Sequence, residues 1–332
     1  MKKLIAALAI AGLALAGCSK SDDAGDKTSA DLPEVTVGLT YIPDVQFAPF
    51  YVAEDAGYFA EEGVKVNIRH HGSQESLFGA LQSGDEDVVF AGGDEMMVAR
   101  STGIDVVNWA TMYQDYPVQL IVLEDSAIQT AADIRGKKIG LPGPYGENYY
   151  ALLAMLKEND LTDKDVSIEY IGYTQAAALK AGDVDAIIGF VNSDFVAMRH
   201  SGMKVRTVMP SDKVLPLIGV GLGSLQDKMD VETYAKILRA VEKGVDRASS
   251  DPDFALEATK KRVPSMEDKA VWDSAQATLT ETLKYYSLGD TFGQQDEPTW
   301  SDMSDFLLSM GILEKPVPYK EAFTSNVVNK SK

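Results

Sequence analysis

Apolar and polar residues alternate through positions 64–69, with Val64, Val66 and Ile68 set against Lys65, Asn67 and Arg69, the period of a half-buried strand. Shorter apolar runs at 35–39, 87–91 and 138–141 read as buried strands, and runs at 166–171, 184–190 and 204–208 continue the series. Between them the period changes to that of helices. Ser73 can cap a helix that carries Leu77, Ala80 and Leu81 on one face and closes at Gly84. Thr130 to Gly136 reads as a capped helical turn, and a helix is expected through Leu152, Leu153 and Leu156. Short strands separated by helices of this length predict an α/β architecture with mostly parallel sheets.

The last third reads differently. Asp230 can cap a helix with Tyr234, Ile237, Leu238, Val241 and Val245 at helical spacing, and Asp251-Pro252 starts another. Two more are expected over 272–285 and 298–310, the second stopped by Gly311. This helical tail is expected to pack on the sheets, with Trp272 and Trp300 as core residues. One internal echo stands out: Ala80-Leu81-Gln82-Ser83-Gly84-Asp85-Glu86-Asp87-Val88-Val89-Phe90 resembles Ala178-Leu179-Lys180-Ala181-Gly182-Asp183-Val184-Asp185-Ala186-Ile187-Ile188. Both read as a helix end, a Gly just past it, an acidic turn and a buried strand. Two similar α/β lobes would explain the repeat. Polar residues follow each strand, Gly92-Gly93-Asp94-Glu95 after the first and Asn192-Ser193-Asp194 after the second. In open α/β sheets ligands sit at those strand ends, and two lobes facing each other there would make a cleft.

Charge and cysteine count narrow the setting. The 332 residues hold 31 Lys+Arg and 50 Asp+Glu, a formal net charge of −19, which argues against a nucleic-acid-binding surface. One cysteine excludes an intrachain disulfide framework and a multi-cysteine zinc site. It lies at Cys18, after the basic start Met1-Lys2-Lys3, the apolar stretch 4–16 and the small-residue sequence Leu15-Ala16-Gly17. That stretch is too short to span a membrane and fits a secretory signal. Leu-Ala-Gly-Cys is similar to the bacterial lipobox, whose cysteine is acylated. Residues 1–17 are therefore expected to be a lipoprotein signal peptide and 18–32 a flexible tether. Cleavage would remove Lys2 and Lys3 and no acid, taking the charge from −19 to −21. No second apolar run approaches membrane-spanning length, so the expected membrane contact is the lipid anchor alone.

A search for catalytic chemistry returns little. There is no G-x-S-x-G, H-E-x-x-H or G-x-x-x-x-G-K-[ST] sequence. His70-His71 ends a strand, where neighbours point to opposite faces, so joint metal coordination is not expected. Aromatic and amide residues concentrate instead at predicted strand-to-helix turns. Tyr41, Asp44, Gln46 and Phe47 follow the first strand; Tyr113 and Gln114 follow another; Tyr145, Gly146 and Asn148 open a helix; Tyr173 and Gln175 flank a further one. With Gly93, Asp94, Glu95 and Asn192 they form the candidate ligand-binding set. Flat aromatic walls with carboxylates and amides between them suit a planar heterocycle bearing ring N–H and carbonyl groups. The turn at 142–150 carries no basic residue, so the expected ligand is uncharged or weakly charged.

The order of these segments supplies a resemblance. Tyr41 to Ala53, Gly57-Tyr58-Phe59 to Gly63, Ala91-Gly92-Gly93-Asp94-Glu95, and Ala132-Asp133-Ile134-Arg135-Gly136-Lys137-Lys138-Ile139-Gly140 together resemble the solute-binding lipoproteins of ABC importers in the family of thiamine-pyrimidine-precursor binders. The first and third segments look most like the branch linked to riboflavin uptake. A His-containing first loop, found in many pyrimidine binders, is absent. The resemblance implies a two-lobed periplasmic-binding-protein fold with two crossover segments, 33–119 and 217–332 in lobe one with the C-terminal helices and 120–216 in lobe two. The apolar runs 118–123 and 214–222 are the expected crossovers. It further implies a monomer without cofactor or catalysis, exported and anchored at the outer face of the cytoplasmic membrane or in the periplasm. It would close on its ligand, riboflavin or a thiamine pyrimidine precursor, and dock on an ABC permease. Two other readings stay open: a sensor or adhesion lipoprotein of the same fold, and an enzyme like the branch that makes the thiamine pyrimidine from pyridoxal phosphate and a histidine.

Overall fold

The structure, a computed structural model, describes residues 32–72, 75–210 and 215–332. The expected signal, tether and Cys18, and the helix cap at Ser73, lie outside the described residues. Among the described residues ten strands form: β1 (Glu34–Leu39), β2 (Lys65–His70), β3 (Val88–Gly92), β4 (Val106–Thr111), β5 (Val118–Leu123), β6 (Lys138–Leu141), β7 (Ser167–Tyr170), β8 (Ala186–Phe190), β9 (Val205–Val208) and β10 (Val220–Leu225). They build two five-stranded sheets, ordered β2-β1-β3-β10-β4 and β7-β6-β8-β5-β9. The helices are α1 (Ala48–Asp55), α2 (Tyr58–Glu61), α3 (Gly79–Ser83), α4 (Gly93–Ser101), α5 (Gly146–Glu158), α6 (Gln175–Ala181), α7 (Val196–His200), α8 (Val231–Ser250), α9 (Pro252–Lys260), α10 (Lys269–Thr282), α11 (Glu297–Ser309), α12 (Tyr319–Ala322) and α13 (Asn326–Ser331).

The two sheets share one plan. β1 pairs in parallel with β2 and β3, and β6 does the same with β7 and β8. In each sheet the fourth strand runs the other way: β10 is antiparallel to β3 and β4, and β5 is antiparallel to β8 and β9. The repeat at 80–90 and 178–188 falls on equivalent elements, α3-β3 and α6-β8. Gly84 and Gly182 end the two helices at φ +80° and +76°, a conformation that an L side chain resists.

Three expectations need correction. The sheets are mixed rather than mostly parallel, because each receives one strand from a chain arriving out of the other sheet. Residues 118–123 are strand β5, not a connector, since their apolar side chains are buried on both faces of the second sheet. The crossings are the stretches just before β5 and just before β10, at 112–117 and 215–219, the second of them apolar, with Leu215, Leu217 and Ile218 in the second core; Val214 lies outside the described residues. The helix expected from Ser73 is described only from Gly79.

Two large cores hold the sheets. In the first, α8 lays Tyr234, Ile237, Leu238, Val241 and Val245 against α1 and the first sheet. Helix and helix touch closely at Gly244, where a Cβ would come within 2.2 Å of Pro49 O. Caps occur where read, with the Asp230 carboxylate accepting from Thr233 N and that of Asp251 from Phe254 N. The second core belongs to the second sheet but extends to Met97 of α4 and to Trp300, Met303, Phe306 and Leu307 of α11. The C-terminal segment is thus not confined to the first sheet: α11 packs its apolar face on the second core and on the crossing at Ile218, whose N–H lies 3.3 Å from Met303 S. Trp300 is fully buried and Trp272 half-buried against the first core.

Candidate ligand-binding site

The site is assembled from the ends of β1, β3, β6, β7 and β8 and from the two crossings, which lie side by side. Met112 and Tyr113 each donate a backbone N–H to Val220 O at 2.9 Å. A Cβ at Gly219 would stand 2.8 Å from Tyr113 O, so a side chain there would push the two crossings apart. The start of α4 is pinned to the second crossing: Gly93 N–H reaches Gly219 O at 3.0 Å and Asp94 N–H reaches Ile218 O at 3.4 Å. Glu95 N–H donates to Asp94 Oδ1 at 2.7 Å, and Gly92 N–H to Glu95 Oε2 at 3.1 Å. The amides that open a helix ordinarily attract an anion; here they are already spent on carbonyls and on the protein's own carboxylates.

Asp94 is fully buried, and its Oδ2 accepts from Tyr116 OH at 2.6 Å. Tyr116 sits on the first crossing, and the same hydroxyl lies 3.2 Å from the carbonyl oxygen of Glu147 at the start of α5. One phenol therefore joins both lobes and a crossing. The Glu147 side chain is buried too, and its Oε1 has no hydrogen-bond partner. A methyl placed on Gly92 would lie 2.5 Å from Asp94 Oδ1 and 3.1 Å from Glu147 Cδ, and one on Gly146 would lie 3.3 Å from Glu95 Oε1. The two glycines leave the room that the three carboxyls occupy.

Burial pushes the Asp94 carboxyl well above the ordinary range, and the Glu95 charge adds to this. Burial likewise pushes Glu95 up to about 7. It raises Glu147 well above the ordinary range, with the charges of Glu95 and Asp94 contributing. No lysine or arginine is among the groups setting the field at Glu95 and Glu147. Among the described residues no group of three or more His, Cys, Asp and Glu is arranged to hold a metal ion.

Farther out, three tyrosines expose much of their rings: Tyr41 42%, Tyr145 58% and Tyr173 66%. They come from the β1, β6 and β7 ends, hence from both sheets. The Tyr173 phenol is pushed up by partial burial and then by Tyr145, Tyr41 and Glu95 nearby, and that of Tyr41 by burial, Asp44 and Asp194. Tyr173 thus lies near enough to Tyr41, Tyr145 and Glu95 to feel them, and Tyr113 packs against Phe90, Tyr285 and Tyr286.

Of the candidate set, Tyr41, Asp44, Gly93, Asp94, Glu95, Tyr113, Tyr145, Gly146 and Tyr173 gather here. Gln46 is half-buried, and its N–H donates to the helix-capping Asp44 Oδ1 at 3.2 Å. Phe47 is buried edge-on to Phe90 and His70. Gln114 Nε2 donates to Thr111 O at 2.5 Å and Gln294 O at 3.3 Å. Asn148 Nδ2 donates to Ile188 O at 3.1 Å, fastening α5 to β8. Gln175 is buried at the start of α6. Asn192 is fully buried; its Nδ2 reaches Thr282 Oγ1 of α10 at 3.1 Å, while its Oδ1 has no partner. Tyr116, Glu147 and Asp194 were missing from the set although all three lie in the turns it drew on. His70 Nδ1 donates to the backbone oxygen of Tyr41 at 3.0 Å and its Nε2 pairs with Tyr51 OH at 2.9 Å, whereas His71 Nε2 faces Glu86 Oε1 at 2.8 Å, so the two rings point apart.

A family model described as NMT1/THI5 like matches residues 44–255. The chain belongs to this family. It is 31% identical to a protein of Chloroflexus aurantiacus named riboflavin-binding protein RibY, over 90% of this chain and 86% of that one. It is 26% identical to the formylaminopyrimidine-binding protein of Halalkalibacterium halodurans, over 97% and 98%. Further family relatives are named as synthases of a pyrimidine phosphate. Among solved structures, the periplasmic aliphatic sulphonate-binding protein SsuA of Escherichia coli superposes with a TM-score of 0.71 at 15% identity, covering 87% of this chain and 91% of that one. The fold is the two-lobed periplasmic-binding-protein fold.

Proposed function

We propose that this protein is the solute-binding component of an ABC importer, taking riboflavin into the cleft between a lobe of 33–119 with 217–332 and a lobe of 120–216. The observation that carries the reading is the pairing of Tyr41, from one lobe, with Tyr145 and Tyr173, from the other, over a floor of carboxyls without a basic partner. Closure would bring the aromatic faces onto a flat ring, and stacking would supply binding energy that exists only when both lobes engage. The crossings at 112–117 and 215–219 would act as the hinge. The floor suits hydroxyl and N–H donors and disfavours anions. The similarity to a protein named for riboflavin supports the choice of ring. In this reading the chain is no enzyme: it works as a monomer, without cofactor, held at the outer face of the cytoplasmic membrane or in the periplasm by a lipid on Cys18, and hands its ligand to a permease. Among the described residues no helix is long and apolar enough to cross a membrane.

The second reading, a thiamine pyrimidine precursor as ligand, is favoured by the relative named for a formylaminopyrimidine. Titration of the purified protein into riboflavin decides between them. Quenching of flavin fluorescence at micromolar concentration or below is expected; no quenching, with clear calorimetric binding of a pyrimidine, would reverse the assignment.

A further inference from the structure

The floor of the cleft poses a problem that the protein does not solve alone. Asp94 and Glu95 come from one lobe and Glu147 from the other, and all three are crowded around Gly92 and Gly146. Tyr116 satisfies one oxygen of Asp94 and Gly92 one of Glu95. Glu147 Oε1 is buried without any partner, and a buried acceptor left unpaired costs free energy that an incoming donor would recover. A metal ion does not fit the arrangement. A phosphate does not either, because the α4 amides are already bonded and no lysine or arginine contributes at Glu95 or Glu147.

We propose that Asp94, Glu95 and Glu147 form a donor-accepting subsite spanning both lobes, which takes the hydroxyl or N–H groups of an uncharged ligand and rejects the same ligand once it is phosphorylated. The proposal rests on the cleft reading above and adds an orientation: the donor-rich end points inward to the carboxyls and the flat ring lies outward between Tyr41, Tyr145 and Tyr173. For riboflavin, the polyol arm would lie inward. Glu147 is then the specificity-determining residue, since its Oε1 is buried with no partner from the protein.

Affinities of the full-length chain for three flavins test this: riboflavin, lumiflavin (the ring without the polyol arm) and FMN (the arm ending in phosphate). A free hydroxymethylpyrimidine and its phosphate ester serve as a second pair. Riboflavin is expected to bind at least about tenfold more tightly than lumiflavin and about thirtyfold more tightly than FMN. Glu147→Gln and Glu95→Gln should each shrink the riboflavin-to-FMN ratio by about fivefold or more, with melting curves reporting that the variants are folded. Should Glu147→Gln fail to fold, the half-buried Glu95→Gln carries the test. Equal binding of riboflavin and lumiflavin, or a ratio unmoved in folded variants, overturns the subsite and leaves the riboflavin reading standing. If only the free pyrimidine binds, its phosphate is rejected and the variants relax that rejection, the subsite stands and the riboflavin reading falls. If none of the five binds, both fall.

Discussion

Tyr116 OH lies 2.6 Å from Asp94 Oδ2 and 3.2 Å from the Glu147 carbonyl oxygen. It is a single hydroxyl on a crossing segment that touches both lobes. Removing it leaves a fully buried carboxyl without the side-chain donor it has in Tyr116. Tyr116→Phe is therefore expected to cost about 1–3 kcal/mol of stability, the range for an unmet buried hydrogen bond. Urea unfolding followed by circular dichroism measures it, and an unchanged midpoint would show that the bond carries no weight.

The aromatic mouth makes a separate prediction. Tyr41→Ala and Tyr145→Ala should each weaken ligand binding by more than about 1 kcal/mol, roughly fivefold, the scale of one lost ring contact. Gln114→Ala should change affinity less than about twofold, because its amide is already engaged with the Thr111 and Gln294 carbonyls. Fluorescence quenching compares the three, and the reverse order would relocate the pocket.

Acidity should stabilise the acid cluster. Glu95 is pushed up to about 7 from 4.5 by burial. The folded state thus keeps a proton that the unfolded chain loses at lower pH. A raised carboxyl contributes stability fully present below about 4.5 and lost as pH rises through about 7. For an isolated group that loss is on the order of 3 kcal/mol, and Asp94 and Glu147 shift in the same direction. Carboxylates elsewhere, such as Glu75 beside Arg69, shift downward and oppose it in acid, so the informative quantity is wild type minus Glu95→Gln. Unfolding free energy from pH 5 to pH 8 should fall more steeply for wild type than for the variant. Parallel profiles would contradict the assignment.

The architecture was readable to the extent that local rules set it. The helix ends at Gly84 and Gly182, the caps at Asp230 and Asp251 and the buried runs of β3 and β8 each follow from a few neighbouring residues. Strand direction was not readable, because β5 and β10 run antiparallel only as a result of where the chain enters each sheet. The site divided along the same line. Tyr41, Tyr145 and Tyr173 announce themselves as aromatics at turns. Glu147 looked like one acid among 50, and nothing local marks it as buried and unpaired. The amides of Gln114 and Asn148 also carry no local mark of the backbone carbonyls that their nitrogens meet in the fold.

The lone cysteine, Cys18, bears on export and anchoring. If Cys18 bears the lipid, Cys18→Ala should release the protein from membranes into the soluble fraction. Fractionation followed by immunoblotting measures this. Membrane association that persists in the variant would require another mode of attachment.

The two crossings meet closely at Gly219. A methyl at Gly219 would meet Tyr113 O at 2.8 Å, and a backbone oxygen cannot swing aside as a side chain can. Gly219 O is also the acceptor for Gly93 N–H, at 3.0 Å, so moving it displaces the start of α4 and with it Asp94. Gly219→Ala should lower stability by about 1–3 kcal/mol and weaken ligand binding together. Gly244→Ala is the control for overpacking alone: its methyl would fall 2.2 Å from Pro49 O at the α1–α8 contact, away from the cleft. That variant should lose stability while its affinity, measured well below its melting point, stays near wild type. If Gly244→Ala weakens binding as much as Gly219→Ala, the affinity loss reports general destabilisation and the crossings have no special hold on the site.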